Sequence, residues 1–108
     1  MHTMFATTEG RRLTLSENIK VSSWLPQNDI LGHPKTRLFI GHAGMNGLLQ
    51  AGYHGVPMIC VPFFGDQFDN SIAAKYFGMA EILHKGSITK ESLLTAINTV
   101  INNARYEY

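Results

Sequence analysis

Apolar positions in this chain come in short runs separated by glycine and proline, and the runs alternate between two spacings. Leu38-Phe39-Ile40 is a continuous apolar run that stops at Gly41-His42-Ala43-Gly44. Such a run, closed by glycines and followed by helical spacing, predicts a buried parallel strand feeding a helix. Leu48, Leu49, Gly52 and Tyr53 then line one predicted helical face, and Gly55-Val56-Pro57 stops that helix. Met58-Ile59-Cys60-Val61 is the next apolar run, ended by Pro62. The unit reads strand, helix, strand, and its crossover is expected to be right-handed.

The same alternation continues on both sides. Ile19, Val21 and Ser23 alternate with Lys20 and Ser22, which predicts a strand running to Trp24 and ended by Pro26. Met4-Phe5-Ala6-Thr7 is a further short strand candidate, and Asn28 or Asp29 is expected to cap a single helical turn at Ile30-Leu31. Downstream, Asp69-Asn70-Ser71 opens a predicted helix through Tyr76, with Ile72, Ala73, Tyr76 and Phe77 as its apolar side and Gly78 as its stop. Met79 to Leu83 is a strand candidate. Thr89 caps a last helix, through Asn102, on which Leu93, Leu94, Ile97, Val100 and Ile101 recur at helical spacing. Strands alternating with helices predict an α/β fold with a mostly parallel sheet.

The chemistry of a strand–helix unit lies at its turn. Small residues at 41, 43, 44 and 47 suggest close approach of a ligand to the backbone. The first helical turn carries free N–H groups and partial positive charge, so it suits a phosphate. His42 and Asn46 stand where they can add donors, although each is also readable as a turn or helix-start residue satisfied by backbone. Asp66-Gln67 follows the next strand and projects from the same sheet edge, unless the pair only caps the following helix. Trp24, the single tryptophan, is either a core residue or a flat surface for a base.

Composition narrows the classes. The 108 residues suffice for one small domain or a piece of a larger one, and 44% hydrophobic residues is ordinary for a globular core. A formal net charge of +1 gives no basic face for nucleic acid. Cys60 is alone, so no internal disulfide framework exists, and its apolar run predicts a buried, inert thiol. No apolar run approaches the ~18–20 residues of a membrane span, and the N-terminus has no signal-peptide core. His33, His54 and His84 lack paired metal-ligand spacing, and no Gly-Lys-Ser/Thr phosphate loop is present.

Trp24-Leu25-Pro26-Gln27, His33-Pro34, Gly41-His42-Ala43-Gly44-Met45-Asn46-Gly47, His54-Gly55-Val56-Pro57-Met58, Pro62 and Asp66-Gln67, taken with their joint spacing, resemble the donor-binding half of the UDP-glycosyltransferases. The likeness is strongest to the animal UDP-glucuronosyltransferases, and it runs from about Gly10 to the C-terminus. The joint spacing argues against an unrelated Rossmann-like domain. The resemblance implies the Rossmann-like C-terminal domain of the GT-B architecture, with residues 1–108 as a partial donor-binding domain. Aligned by its motifs, the chain begins near the second strand, so the first, central strand is expected to be absent and the isolated chain to be marginally stable.

The resemblance also implies roles. Trp24 and Gln27 become uracil contacts; His42, Gly44, Asn46 and Gly47 line the diphosphate; Gln50 faces the ribose; Asp66 and Gln67 bond the donor sugar. No metal or further cofactor is implied, and the co-substrate is a UDP-sugar, UDP-glucuronic acid or UDP-glucose. The family transfers the sugar with inversion to a small lipophilic acceptor, using a His–Asp base in an N-terminal domain that has no counterpart here. This chain alone is therefore expected to be inactive. The full-length family lies on the lumenal side of the endoplasmic reticulum membrane, held by a C-terminal span that this sequence does not show. Two residues depart from the pattern: Gln50 stands where glutamate is usual, and Gly41 where serine or threonine is usual. They motivate an alternative, a non-catalytic product that binds UDP-sugar weakly or associates with itself or with full-length relatives.

Overall fold

The computed structural model describes residues 22–103. The chain divides into two compact units, Met1–Thr36 and Arg37–Tyr108, and each is considered by itself. Within the first, one short helix α1 spans Gln27–Leu31. It starts at Pro26 without a side-chain cap, so the expected Asn28 or Asp29 cap is not used. Proline is well suited to this start because it has no N–H to satisfy. Ser22–Trp24, the described end of the expected Ile19–Trp24 strand, is not a strand. The rest of that segment and the Met4–Thr7 candidate lie outside the described residues.

The second unit is a three-stranded parallel sheet in the order β1 (Phe39–Gly41), β2 (Met58–Cys60), β3 (Ala80–Ile82). Helices α2 (Met45–Tyr53) and α3 (Asp66–Tyr76) form the crossovers, and α4 (Lys90–Ile101) follows β3. Register pairs Phe39 with Met58 and Gly41 with Cys60, then Met58 with Ala80 and Cys60 with Ile82. The sheet is therefore the α/β arrangement that the alternation of runs predicts, with strand ends shifted by a residue. Among the described residues β1 has a neighbour on one side only.

Side chains of β2 alternate between two cores. Met58 and Cys60 join Ala43, Ala51, Ala74 and Ala80 on the face covered by α2 and α3. Ile59 joins Val61 and Val100 on the other, with Leu83, Ala96 and Ile97 packed around them. Small side chains let α2 and α3 lie close against the sheet. Ala51 is the buried residue of α2, and Gln67, Ser71 and Ala74 are those of α3. The larger apolar residues expected to face inward point outward instead: Leu49 and Tyr53 on α2, and Ile72, Tyr76 and Phe77 beside them in sequence on α3 and its cap, are exposed. Tyr53 and Tyr76 are 84% and 83% accessible. On α4, Leu94 is exposed while Val100 is buried, so that face is only partly as expected.

Helix ends follow local chemistry. Gly55 and Gly78 take positive φ (68° and 73°) just past α2 and α3. The next amides, Val56 and Met79, donate back to the carbonyls of Ala51 and Ala74 at 2.9 Å each, closing both helices with the left-handed turn that glycine favours. Thr89 caps α4 as predicted, and Ser92 completes a reciprocal capping box with it. Helix α3 begins at Asp66, not Asp69. Gly65, at φ 64° and ψ −138°, turns the chain there, and Asp66 and Asp69 both fall in the first turn, where carboxylates favour the helix dipole. No helix among the described residues is long and apolar enough to cross a membrane.

Cys60 is fully buried, and burial pushes its thiol up from the ordinary value, partly offset by a hydrogen bond involving Ser71. A raised folded-state pKa favours the protonated thiol, so the unfolded chain loses this proton at lower pH than the folded one. Cys60 therefore contributes stability that is full below the ordinary thiol range and declines as pH rises through the folded value. Urea melts in the alkaline range are expected to show this decline in the wild type, and a flatter profile in Cys60→Ala. At neutral pH the thiol is expected to react with an aromatic disulfide reagent only at the rate of unfolding.

Candidate functional site

Parallel strands send their C-terminal ends to one edge. The β1–α2 turn, His42-Ala43-Gly44, and the β2–α3 loop, Val61 to Gly65, thus leave the sheet side by side. The Val61 amide donates to the Gly41 carbonyl at 2.8 Å, which extends the pairing past the strand ends into these loops. His42, Gly44, Asn46 and Gly47 come from the first junction, and Asp66 and Gln67 from the second. Gln50, half-buried, lies one turn beyond Asn46 on α2 and so shares its side of the helix. Trp24 and Gln27 belong to the first unit. Trp24 is 76% exposed, and Gln27 is the first residue of α1.

The small residues of the turn serve the protein's own packing. A Cβ at Gly41 would lie 3.0 Å from the Phe39 ring and 3.2 Å from the Met58 methyl. One at Gly44 would lie 2.5 Å from His42 Cε1. Ala43 is buried and has φ of 70°, a left-handed conformation that costs an alanine about 1–2 kcal/mol. At 41, 43 and 44 the space is thus filled from within. The N-terminus of α2 has no side-chain cap, and the first hydrogen bond of the helix runs from the Leu48 amide to the Gly44 carbonyl at 3.0 Å. The amides of Met45, Asn46 and Gly47 precede it and have no acceptor within the helix.

His42 has a defined polarity. The Gly44 amide donates to its Nδ1 at 2.8 Å. In the neutral ring the proton then sits on Nε2, so the exposed edge of His42 is a donor beside the α2 amides. Asp66 and Gln67 are polarised as well. Gln67 is buried, and its Oε1 accepts from the amides of Phe63 at 2.8 Å and Phe64 at 3.2 Å. Its carbonyl end is thereby committed to the loop, and its Nε2 remains the group with capacity to donate. Asp66, exposed at the first position of α3, can only accept when ionised.

One residue of this site was not legible as such. Asn70 was expected only to open the helix. Instead its Nδ2 donates to the Ala43 carbonyl at 3.0 Å, across 27 residues, and lies 3.5 Å from Asp66 Oδ2. The signal was the Asp-x-x-x-Asn spacing, which places both side chains on one helical side once α3 starts at Asp66.

Gly44→Ala tests the polarity of His42. The added methyl drives the ring away and breaks the 2.8 Å bond to the Gly44 amide. The expected result is a loss of about 1 kcal/mol in a denaturant melt. Imidazole nitrogen NMR should also show the Nδ1 resonance moving as it loses the bond it accepts from the Gly44 amide.

A family model for UDP-glucoronosyl and UDP-glucosyl transferase matches residues 2–108. The chain is 51% identical over 94 residues to UDP-glucuronosyltransferase 2A3 of Homo sapiens, an alignment covering 87% of this chain and 18% of that protein. It is 52% identical over 94 residues to UDP-glucuronosyltransferase 2C1 of Oryctolagus cuniculus, covering 87% of this chain and 19% of the relative. Among solved structures, a glycotransferase of kitacinnamycin superposes with a TM-score of 0.82 at 26% identity, covering 93% of this chain and 26% of that one. A UDP-glucose: anthocyanidin 3-O-glucosyltransferase in complex with UDP superposes with a TM-score of 0.73 at 31% identity, covering 82% of this chain and 20% of that one. These neighbours are GT-B glycosyltransferases. The chain spans about a fifth of the length of the curated relatives it matches. By the family match and this level of identity, the chain belongs to the UDP-glucuronosyl and UDP-glucosyl transferase family.

Proposed function

We propose that this chain is the donor-binding part of a glucuronosyltransferase-like enzyme that moves a sugar from UDP to a small lipophilic acceptor with inversion. The observation that carries the reading is the convergence, at one sheet edge, of three kinds of group. These are the uncapped amides of Met45, Asn46 and Gly47, the Nε2 donor of His42, and the Asp66–Gln67 pair. Amides and imidazole suit a diphosphate, because they offer donors in a positive helix-end field. The carboxylate and the fixed amide donor suit sugar hydroxyls. Gln50 meets the ribose in this reading.

The same groups stabilise UDP as it leaves. Negative charge grows on the β-phosphate as the glycosidic bond breaks, and donors already aimed there lower the barrier without rearranging. No metal is required for this. UDP-glucuronic acid and UDP-glucose both fit, because Asp66 and Gln67 address hydroxyls the two sugars share. The base that activates the acceptor belongs, in the family, to a separate N-terminal domain, so purified chain of this length is expected to show no transfer. In the whole protein the site would face the lumen of the endoplasmic reticulum.

A second reading is favoured by Gln50 alone: a product that binds UDP-sugar weakly, or that associates with full-length relatives, without catalysis. An amide keeps one acceptor oxygen where a carboxylate offers two. Loss of a charged hydrogen bond of this kind costs about 1.5–3 kcal/mol, or about ten- to a hundredfold in affinity. Calorimetric titration with UDP tests both readings. Gln50→Glu is expected to bind UDP at least about tenfold more tightly than the wild type. Equal affinity would remove Gln50 from the ribose, and no heat from either folded protein would defeat the donor-site reading.

A further inference from the structure

Ala43 presents a carbonyl that its own helix does not use. It lies one residue before the N-cap of α2, it is 1% exposed, and it sits in the strained left-handed region. A buried carbonyl in such a place needs a donor from elsewhere. The donor is Asn70 Nδ2 at 3.0 Å, from the second turn of α3. The same nitrogen lies 3.5 Å from Asp66 Oδ2, at the outer limit of a hydrogen bond. One amide group therefore faces the turn that leads into the α2 amides and also the carboxylate on the sugar side. These are the only two acceptors that Asn70 meets through its side chain among the described hydrogen bonds.

We infer that Asn70 is a positioning residue that sets the phosphate turn and the sugar-side carboxylate at a fixed separation. The inference rests on the donor-site reading above. Asn70 itself touches no part of the ligand. Its first hydrogen holds the Ala43 carbonyl, which fixes where the α2 amides begin. Its second restrains the rotamer of Asp66, which is otherwise free at an exposed helix start. A nucleotide diphosphate uses one of these subsites, whereas a nucleotide sugar must engage both at once. Losing the bridge therefore weakens the sugar nucleotide more than the nucleotide. A purely structural asparagine would weaken the two ligands by the same factor.

The experiment uses the full 108-residue chain. UDP, UDP-glucuronic acid and UDP-glucose are titrated against wild type, Asn70→Ala and Asn70→Asp, and folding is checked by circular dichroism and thermal melts. Asn70→Asp keeps the size of the side chain but turns acceptors toward Ala43 and Asp66, so it is read where the alanine variant does not fold. The expected result is that the ratio of UDP-sugar affinity to UDP affinity falls about tenfold in a folded variant. An unchanged ratio in a folded variant overturns the inference while leaving the donor site in place. Failure of both variants to fold also overturns it, since Asn70 is then a determinant of the fold. A folded wild type that binds none of the three ligands defeats the donor-site reading and this inference with it.

Discussion

The second unit depends on three buried residues. Met58, Ile59 and Cys60 form the middle strand, hydrogen-bonded on both edges and covered on both faces. A strand this short can be central only because the interior on each side is complete: Met58 and Cys60 anchor the layer of α2 and α3, and Ile59 the layer of α4. Its parallel register with β1 then brings two loops out at the same edge. That the β1–α2 turn with His42 and the β2–α3 loop leading to Asp66 and Gln67 leave side by side is thus a consequence of pairing Gly41 with Cys60.

Close packing of helices on this sheet has a second consequence. The fully buried residues of α2 and α3 are alanines, a serine and a glutamine, with Leu48 packed beside them, while Leu49, Tyr53, Ile72 and Tyr76 lie outward. The same economy of space governs the site. Gly41 makes room for Phe39 and Met58, and Gly44 makes room for the ring of His42. The turn is therefore filled by its own side chains, and that packing holds the His42 ring against the Gly44 amide.

What could be read from the sequence was whatever is decided locally. Apolar runs bounded by glycine and proline located the strands to within a residue, and Thr89 and Gly78 announced helix ends because capping chemistry involves only near neighbours. The motif residues at the two junctions were legible by spacing. The inward faces of α2 and α3 were legible only at Leu48, which packs on the core, because the apolar spacing of Leu49 and Tyr53, or Ile72 and Tyr76, points away from the sheet. The start of α3 was missed because it turns on the backbone of Gly65, a conformation that no pattern of hydrophobicity encodes. Asn70 was missed as a bridge because its partner lies 27 residues away. The direction of each hydrogen bond at His42 and Gln67 likewise depends on amides that only the folded turn brings near.

The way Gln67 is held separates its orientation from the identity of its neighbours. Its carbonyl oxygen is gripped by the main-chain N–H groups of residues 63 and 64, and the side chains of Phe63 and Phe64 play no part in that grip. Both rings are exposed. Any residue with a main-chain N–H can therefore occupy either position without turning the amide over, and only proline removes a donor. The loop is free to vary its outward surface, and so whatever it meets in a larger assembly, while the polarity of the inward-facing amide stays constant.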